Sequence, residues 1–394
     1  MTFDLIIIGT GLAGYTLVKQ FRLLNKTATI AMISSDDGRY YSKPMLSTGF
    51  AKNKSADDLA MKTTAQMSEE LNVEIFSNIA VKNIEREIKS LQLADDRKLS
   101  YQLGLVFATG AAPIKIPLPT ALDGRTFAIN DLHHYQQFRQ QLFDEEHPLH
   151  TEQQPAHVAV IGSGLVGCEY ANDLIQAGIK VTVISLDQTP LQLLIPPQLG
   201  QAVQQQLADK GVNWQLSTAI GSANTQANGQ LQLKLHNQQL VHCDIVLSAV
   251  GLTPRDLLAK KVGLDIQRGI IVDQYLATND PHIFALGDCA RINGINLMYV
   301  AILTLAAKAL AKTLNGEKTA LTMPASPVIV KTPCCPVVAN PPAPNSEGSW
   351  QIEGEQHDLK ACFYDDQQNL LGFGLTGKKV IERMKLAKLL PPIL

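Results

Sequence analysis

Two glycine patterns in this chain have the spacing that lets backbone approach a pyrophosphate. Gly9, Gly11 and Gly14 follow the apolar run Leu5-Ile6-Ile7-Ile8. Gly162, Gly164 and Gly167 follow Val158-Ala159-Val160-Ile161. In such a pattern the first glycine makes the tight turn after a buried strand. The second leaves room for a phosphate, and the third lets the next helix pack on the strand. The helix N-terminus then faces the negative charge. One such pattern also occurs as plain structure. Two, each between an apolar run and a helical pattern, imply two dinucleotides. The economical pair is a bound flavin and a diffusible nicotinamide, held so that one reduces the other.

The elements that must position these turns follow from the rest of the chain. With 394 residues, the length suggests two or three domains. An apolar share of 45% with 18% charged residues is that of an ordinary globular protein. The net charge of -2 offers no basic field for nucleic acid. No apolar stretch is long enough for a membrane span. The N-terminus enters a strand at Phe3 without a basic leader, so the expected location is the cytoplasm. The six cysteines form no Cys-x-x-Cys and no zinc spacing, which points to reduced thiols and no metal. Adjacent Cys334 and Cys335 read as two thiols, because vicinal pairing is strained.

Residues 3–34 read as strand, glycine turn, helix and strand. A Pro-rich charged segment spans Arg39 to Lys54, a helix is expected near 55–71, and short strands near 73–107. Pro113, Pro117 and Pro119 mark a linker. Residues 121–154 look like a helix and a polar connection. A second strand–turn–helix–strand unit runs from His157 to Ser185. Strands are expected at Ile245–Val250 and Ile283–Leu286, and a helix at Tyr299–Leu314. Past Leu314 the composition shifts to prolines and short β-type runs. The expected division is residues 1–116 and 246–319 as a discontinuous flavin unit, 117–245 as an inserted nicotinamide unit, and 320–394 as a small α+β module.

Gly9/Gly11/Gly14, Ala108-Thr109-Gly110, Gly162/Gly164/Gly167 and the run Thr278 through Phe284-Ala285-Leu286-Gly287-Asp288 occur in this order. As a set they resemble the pyridine nucleotide–disulfide oxidoreductase superfamily, and they span most of the chain. Its redox cysteine pair is missing, and Tyr41-Ser42-Lys43-Pro44-Met45-Leu46-Ser47 stands in that place. This stretch is similar to that of single-flavin reductases serving small iron–sulfur and iron proteins. So are Gly167-Cys168-Glu169-Tyr170 and Val330-Lys331-Thr332-Pro333. The resemblance implies an α/β fold with two Rossmann-like domains, glutathione-reductase-like, and a C-terminal domain. It implies an oxidoreductase taking a hydride from NADH through FAD to rubredoxin, a small acidic iron protein. The electrons would serve a process such as alkane hydroxylation or oxygen and nitric oxide defence. Whether such a chain is a monomer or a homodimer stays open.

The same resemblance implies FAD contacts from Gly9, Thr10, Gly11, Leu12, Ala13 and Gly14, from Ser34, Asp36, Lys43, Pro44 and Val81, and from Ala108, Thr109, Gly110, Asp288, Val300 and Lys331. NAD contacts are implied from Gly162, Gly164, Leu165, Val166, Gly167, Glu169, Asp187, Val250 and Gly251. Asp288 is implied to hold a ribityl hydroxyl; as a bare residue it also reads as a helix cap. Lys43 is implied to set its ammonium near the flavin, with Glu169 as its buried partner. A solvated lysine and a first-turn acid are the alternatives.

The acid that reads a ribose stands about 20 residues past the fingerprint in such units, at a strand end. Here Thr29–Ile33 ends in Ser34-Ser35, with Asp36 and Asp37 late. Val181–Ile184 ends in Ser185-Leu186-Asp187. No Arg or Lys lies between Val181 and Leu194, so NADH is expected over NADPH. A basic rim for an acidic acceptor is available in Arg39, Lys43, Lys52, Lys54, Lys331, Lys378, Lys379, Arg383, Lys385 and Lys388. The last five fit a basic amphipathic helix. Two other functions stay open: a disulfide or peroxide reductase, which needs a cysteine beside the flavin, and a flavin- and NADH-binding sensor. Reductase of another iron–sulfur protein, of ferredoxin or flavorubredoxin type, is a further variant.

Overall fold

The computed structural model describes residues 1–143, 149–151, 154–296 and 298–394. The run Leu5-Ile6-Ile7-Ile8 forms the middle of a sheet because it is apolar on both faces. Strand Thr2–Ile8 lies between Ile30–Ile33 and Lys98–Phe107, all parallel. Glu74–Phe76 extends one side, and Ile283–Ala285 adds to Lys98–Phe107 in parallel on the other. Leu5, Ile6 and Ile7 are fully buried. Each such side chain contributes roughly 1.5–3 kcal/mol of burial free energy. The hairpin Val81–Glu85 with Ser90–Leu93 joins antiparallel to the early half of Lys98–Phe107. Helix Leu12–Leu24 packs along helix Val300–Leu314. A single sheet thus draws on residues before 114 and after 282, and its core also takes in Ala259, Leu264, Ile270, Val272 and Leu276.

The second glycine turn lies in another parallel sheet, ordered Thr126–Phe127, Ile245–Ser248, His157–Ile161, Lys180–Ile184, Asn213–Gln215. An antiparallel meander over Ile220–Thr225, Leu231–Leu235 and Leu240–Cys243 covers one face. Chain passes between the two sheets through Ala111–Pro113 and Leu252–Pro254, which pair antiparallel. The third sheet is antiparallel throughout, in the order Val328–Val330, Val337–Asn340, Leu370–Thr376, Asp358–Tyr364, Ser349–Glu355.

Three expected elements differ. The helix near 55–71 is two helices, Ala56–Leu59 and Thr64–Leu71, separated by strand Ala60–Lys62. Ser55 and Thr63 each close a capping box, so the sequence restarts the helix after one turn. Ala60–Lys62 pairs instead with Tyr40–Tyr41. The basic C-terminal helix is a 3-10 segment, Gly377–Glu382, running into α-helix Arg383–Ala387. Strand Ile245–Ser248 stops short of Val250, which leaves Ala249 to Gly251 as a loop above the second glycine turn. Helix Leu132–Phe143 forms as expected; much of the polar connection after it lies outside the described residues. Among the described residues no helix is long and apolar enough to cross a membrane, and all six cysteines are free thiols.

Candidate nucleotide and redox site

The two glycine turns are built alike. Gly9 has φ +121°, and a Cβ there would stand 2.1 Å from Ala108 O. Gly162 has φ +102°, and a Cβ there would stand 2.7 Å from Ala249 O. A Cβ on Gly14 or Gly167 would strike the carbonyl of the first glycine, at 2.1 and 2.0 Å. Around Gly11 and Gly164 nothing lies within 4 Å of a Cβ position. The outer glycines are thus demanded by packing, and the middle ones by open space in front of a helix. Helices Leu12–Leu24 and Leu165–Gln176 start at these middle glycines with no side-chain cap. Leu12, Ala13, Leu165 and Val166 supply their first turns, whose free N–H groups suit a phosphate.

The late acids are held in matching clips. Asp36 Oδ1 accepts from Thr10 Oγ1 at 3.1 Å, from Ser34 Oγ at 2.5 Å and from Gly38 N at 3.0 Å. Asp187 Oδ2 accepts from Ser163 Oγ at 2.9 Å and Ser185 Oγ at 3.1 Å. In each unit a hydroxyl from the glycine turn and one from the strand end grip one carboxylate oxygen. The other oxygen, Oδ2 of Asp36 and Oδ1 of Asp187, has no partner among the described residues and is free for a ribose diol. Asp37 is committed elsewhere, to Arg39 at 2.7 Å. The segment before Val81 runs beside the first clip, with Asn78 N donating to Asp36 O and Ile79 N to Ser34 O.

Asp288 follows strand Ile283–Ala285. Thr278 does not face the site: its hydroxyl donates to Ile283 O at 2.9 Å and closes the turn that sets this strand. Gly287 has φ +75°, and a Cβ there would stand 2.9 Å from Ala13 Cβ, so Asp288 lies against the first glycine turn. The start of helix Val300–Leu314 reaches the same segment. Burial raises the Asp288 carboxyl above its ordinary value, with Lys43 pulling the other way. Burial lowers the Lys43 ammonium, opposed first by Asp288 and reinforced by Arg255. Ala108-Thr109-Gly110 closes the floor: Thr109 Oγ1 donates to Arg255 O at 2.7 Å, and Arg255 N to Gly110 O at 2.9 Å.

The expected Lys43–Glu169 pair is not formed. Glu169, 2% exposed, is paired with Lys331. Its Oε1 accepts from Lys331 N at 2.9 Å and its Oε2 from Ser47 Oγ at 2.6 Å. Lys331 Nζ also donates to Ser47 Oγ at 3.1 Å. The reason is placement. Helix Leu165–Gln176 packs against segment Lys43–Thr48 and strand Val328–Val330, and Lys331 follows that strand directly. Lys43 makes no ion pair among the described residues, and the carboxylate acting on it most is Asp288. One turn further along, Asp173 accepts from Phe50 N at 2.9 Å and Ala51 N at 3.1 Å. Its carboxyl is raised by burial, which the two amide bonds oppose.

Sequence reasoning missed Ser47, Ser163, Ser185, Asp173 and Arg255 as parts of this site. Ser163 and Ser185 flank named positions, and their matching in the first unit by Thr10 and Ser34 was a readable signal. Asp173 lay in the resembling stretch Gly167 to Leu174 without a role assigned to it, and Arg255 carried no signal. Pro44 starts the segment that leads to Ser47. Val250 and Gly251 lie in the loop over the second turn, and Gly251 O accepts from Ile114 N.

Comparison with known proteins agrees with this geometry. A family model described as pyridine nucleotide-disulphide oxidoreductase matches residues 3–304. A second, described as rubredoxin binding C-terminal domain, matches residues 320–390. The chain is 44% identical over 390 residues to a rubredoxin-NAD(+) reductase of Alcanivorax borkumensis, covering 99% of each chain. It is 37% identical over 394 residues to one of Acinetobacter baylyi, covering 99% of this chain and 98% of the other. A solved putidaredoxin reductase in covalent complex with putidaredoxin matches with TM-score 0.86 at 21% identity, over 98% of this chain and 93% of that one.

Proposed function

The chain belongs to the pyridine nucleotide-disulphide oxidoreductase family, and we propose that it is a reductase carrying electrons from NADH through one bound FAD to a rubredoxin. The observation that carries this reading is the pair of glycine cradles, each with its own acid clip, on either side of a loop, Ser42–Ser47, that holds no cysteine. A dithiol or peroxide mechanism has no nucleophile there. When bound, FAD accepts a hydride from NADH and gives up its electrons one at a time. The protein binds and orients.

The residues fit both nucleotides. Gly11 and Gly164 leave space at uncapped helix starts, and Asp36 and Asp187 each keep a carboxylate oxygen free. Gly9 to Gly14, Ser34, Asp36, Val81, Ala108 to Gly110, Asp288 and Val300 line the FAD side. Gly162 to Gly167, Asp187, Val250 and Gly251 line the NADH side. Lys43 places a desolvated cation in the redox centre. Glu169 and Lys331 act one step back, holding the Lys43–Ser47 segment against the nucleotide helix. The absence of Arg and Lys between Val181 and Leu194, with Asp187 facing the ribose, favours NADH. Free buried cysteines suit a reducing compartment, the cytoplasm.

The test is anaerobic. The purified protein should be yellow, release one FAD per chain on denaturation, bleach on NADH, and recover its colour on adding oxidised rubredoxin. Bleaching without recovery removes rubredoxin as the acceptor and favours a sensor. Recovery with a dithiol substrate instead restores the disulfide reading.

A further inference from the structure

Each NADH brings two electrons and one proton, and a one-electron acceptor takes only the electrons. One proton per NADH must therefore leave the redox centre. Lys43 is the titratable group set inside it, and the charges acting on Lys43 are, in order, Asp288, Arg255, Asp131 and Asp36. Asp288 and Asp36 belong to the flavin cradle. Arg255 keeps its proton at any working pH. Asp131 has no part in either cradle.

Asp131 stands at the start of helix Leu132–Phe143, and its neighbours in the chain fix its place. Asn130, 3% exposed, donates from Nδ2 to Ala111 O at 2.9 Å, which ties it to the strand just past Gly110. On the other side Leu132 N faces the Tyr41 hydroxyl. Burial pushes the Tyr41 phenol well above its ordinary value, so it stays protonated. Asp131 itself holds His134. Its Oδ1 accepts from His134 N at 2.8 Å, and His134 Nδ1 stands 2.8 Å from Oδ2. The first contact caps the helix. The second sets a carboxylate against an imidazole.

His134 in turn reaches water. Its side chain is 41% exposed, against 24% for Asp131. It lines a cleft of about 1020 Å³ between helix Leu132–Phe143 and the chain from Ala112 to Leu118. Ala112 and Arg255, which flank the two-stranded crossing, line the same cleft. The other charged groups on its wall are Lys115 and Asp123, and the His133 ring centre lies 6.0 Å from that of His134. Asp131 holds the His134 imidazole above its ordinary value, against burial and Arg255. Burial pushes the Asp131 carboxyl up, and the contacts with His134 more than offset this, so it lies below its ordinary value. An imidazole so placed gains and loses its charge near neutral pH.

We propose that Asp131 and His134 carry the proton left by each NADH from the redox centre to the water of this cleft. This rests on the reading of the chain as an NADH reductase of a one-electron acceptor. Asp131 Oδ2 takes the proton on the Lys43 side and gives it to His134 Nδ1. The imidazolium then loses its Nε2 proton to water. The ring is left neutral with its proton on Nδ1, and exchange with water resets it. No electron moves in either step. The Arg255 charge opposes a lasting positive charge on His134 and so favours release.

The test uses the full-length flavoprotein, reduced by one equivalent of NADH and mixed rapidly with ferricyanide in weak buffer with a pH indicator. Ferricyanide takes one electron and no proton, so the result does not depend on which protein is the natural acceptor. The wild type should release one proton per NADH as its colour returns. In His134→Ala the rate of release near pH 7 should fall about tenfold or more. Imidazole in the buffer should restore it through the vacated cleft, which it would not do for a merely structural role. Asp131→Asn keeps the helix cap and should slow release likewise. A second readout needs no turnover: in NMR titrations of the oxidised flavoprotein, Asp131→Asn should bring His134 down toward its ordinary value of about 6.5. Release from His134→Ala at the wild-type rate, or a slow release that imidazole leaves slow, overturns the proposal. So does a His134 titration that Asp131→Asn does not move. A wild type that NADH does not bleach fails earlier, on the reading as a reductase, and takes the proposal with it.

Discussion

Removing the Lys331 ammonium should strand the Glu169 carboxylate. Glu169 is 2% exposed and accepts from Ser47 Oγ, from Lys331 N and from Lys331 Nζ. Lys331→Met deletes the third bond and the charge but keeps the other two donors. Breaking a fully buried pair costs about 3–5 kcal/mol. The two remaining bonds, and the 29% exposure of the Lys331 side chain, bring the expectation down to about 2–3 kcal/mol. Glu169→Gln leaves the lysine, which can turn to water, and should cost about 1 kcal/mol. In the double variant nothing is stranded, so the two effects should fall short of their sum by about 1–2 kcal/mol. The same cycle with Lys43→Met and Glu169→Gln should be additive within about 0.5 kcal/mol, since Lys43 answers to Asp288. The assays are thermal midpoints with FAD bound, and amide exchange of strand Val328–Val330, which the pair pins down. Additivity for Lys331 and Glu169, or coupling that appears with Lys43 instead, refutes the assignment.

Other outcomes follow from the same geometry. NADH should exceed NADPH in kcat/KM by about tenfold or more, and Ser163→Ala, which loosens Asp187 by one charged hydrogen bond, should narrow that preference by about fivefold; equal narrowing by Thr10→Ala in steady-state assays would contradict it. Gly162→Val, at φ +102° with Ala249 O only 2.7 Å from the Cβ position, should abolish bleaching by NADH while FAD content stays at one per chain; loss of FAD would place the second turn on the wrong nucleotide. Burial holds the Lys43 ammonium below its ordinary value of about 10.5. Its charged form is therefore penalised in the fold, and that penalty lifts as pH rises through the lowered value. The rate of bleaching by NADH should fall on the same alkaline side, and the fall should vanish in Lys43→Met; a limb that persists in rapid mixing belongs to another group.

The glycine turns were legible because local geometry dictates them. Gly9 and Gly162 stand where any Cβ would strike a carbonyl, and no other residue type serves. The buried strands were legible for a similar reason, since a central parallel strand is apolar on both faces. The ribose acids were half legible. Reading for an acid at the strand end finds Ser34 and Ser185, and the structure shows these serines as the lower jaw of a clip whose acid comes two residues later. The partner of Glu169 was not legible. It lies 162 residues away, on a module whose docking no local pattern encodes. The split helix over 55–71 was hidden by a composition favourable to helix throughout; only the second capping box, at Thr63 and Gln66, betrayed the break.

Helix Leu165–Gln176 joins these findings into one constraint. Its first turn follows the second glycine turn, and its residues one and two turns on, Glu169 and Asp173, grip the segment from Ser47 to Ala51. Glu169 also grips Lys331 of the third module. Two carboxylates four residues apart lie on one helix face, so a single element fixes the second glycine turn, the Lys43 segment and the third module together. The nucleotide unit cannot tilt about its two-stranded crossing at Ala111–Pro113 and Leu252–Pro254 without straining both acids. A nicotinamide bound in the second cradle would thus be held against a flavin bound in the first by these buried hydrogen bonds rather than by the two-stranded crossing alone. That is the arrangement hydride transfer demands, since misplacement by about 1 Å can cost a hundredfold in rate. The same bonds tie the third module to that geometry through Lys331, so a change that frees Glu169 should disturb both half-reactions.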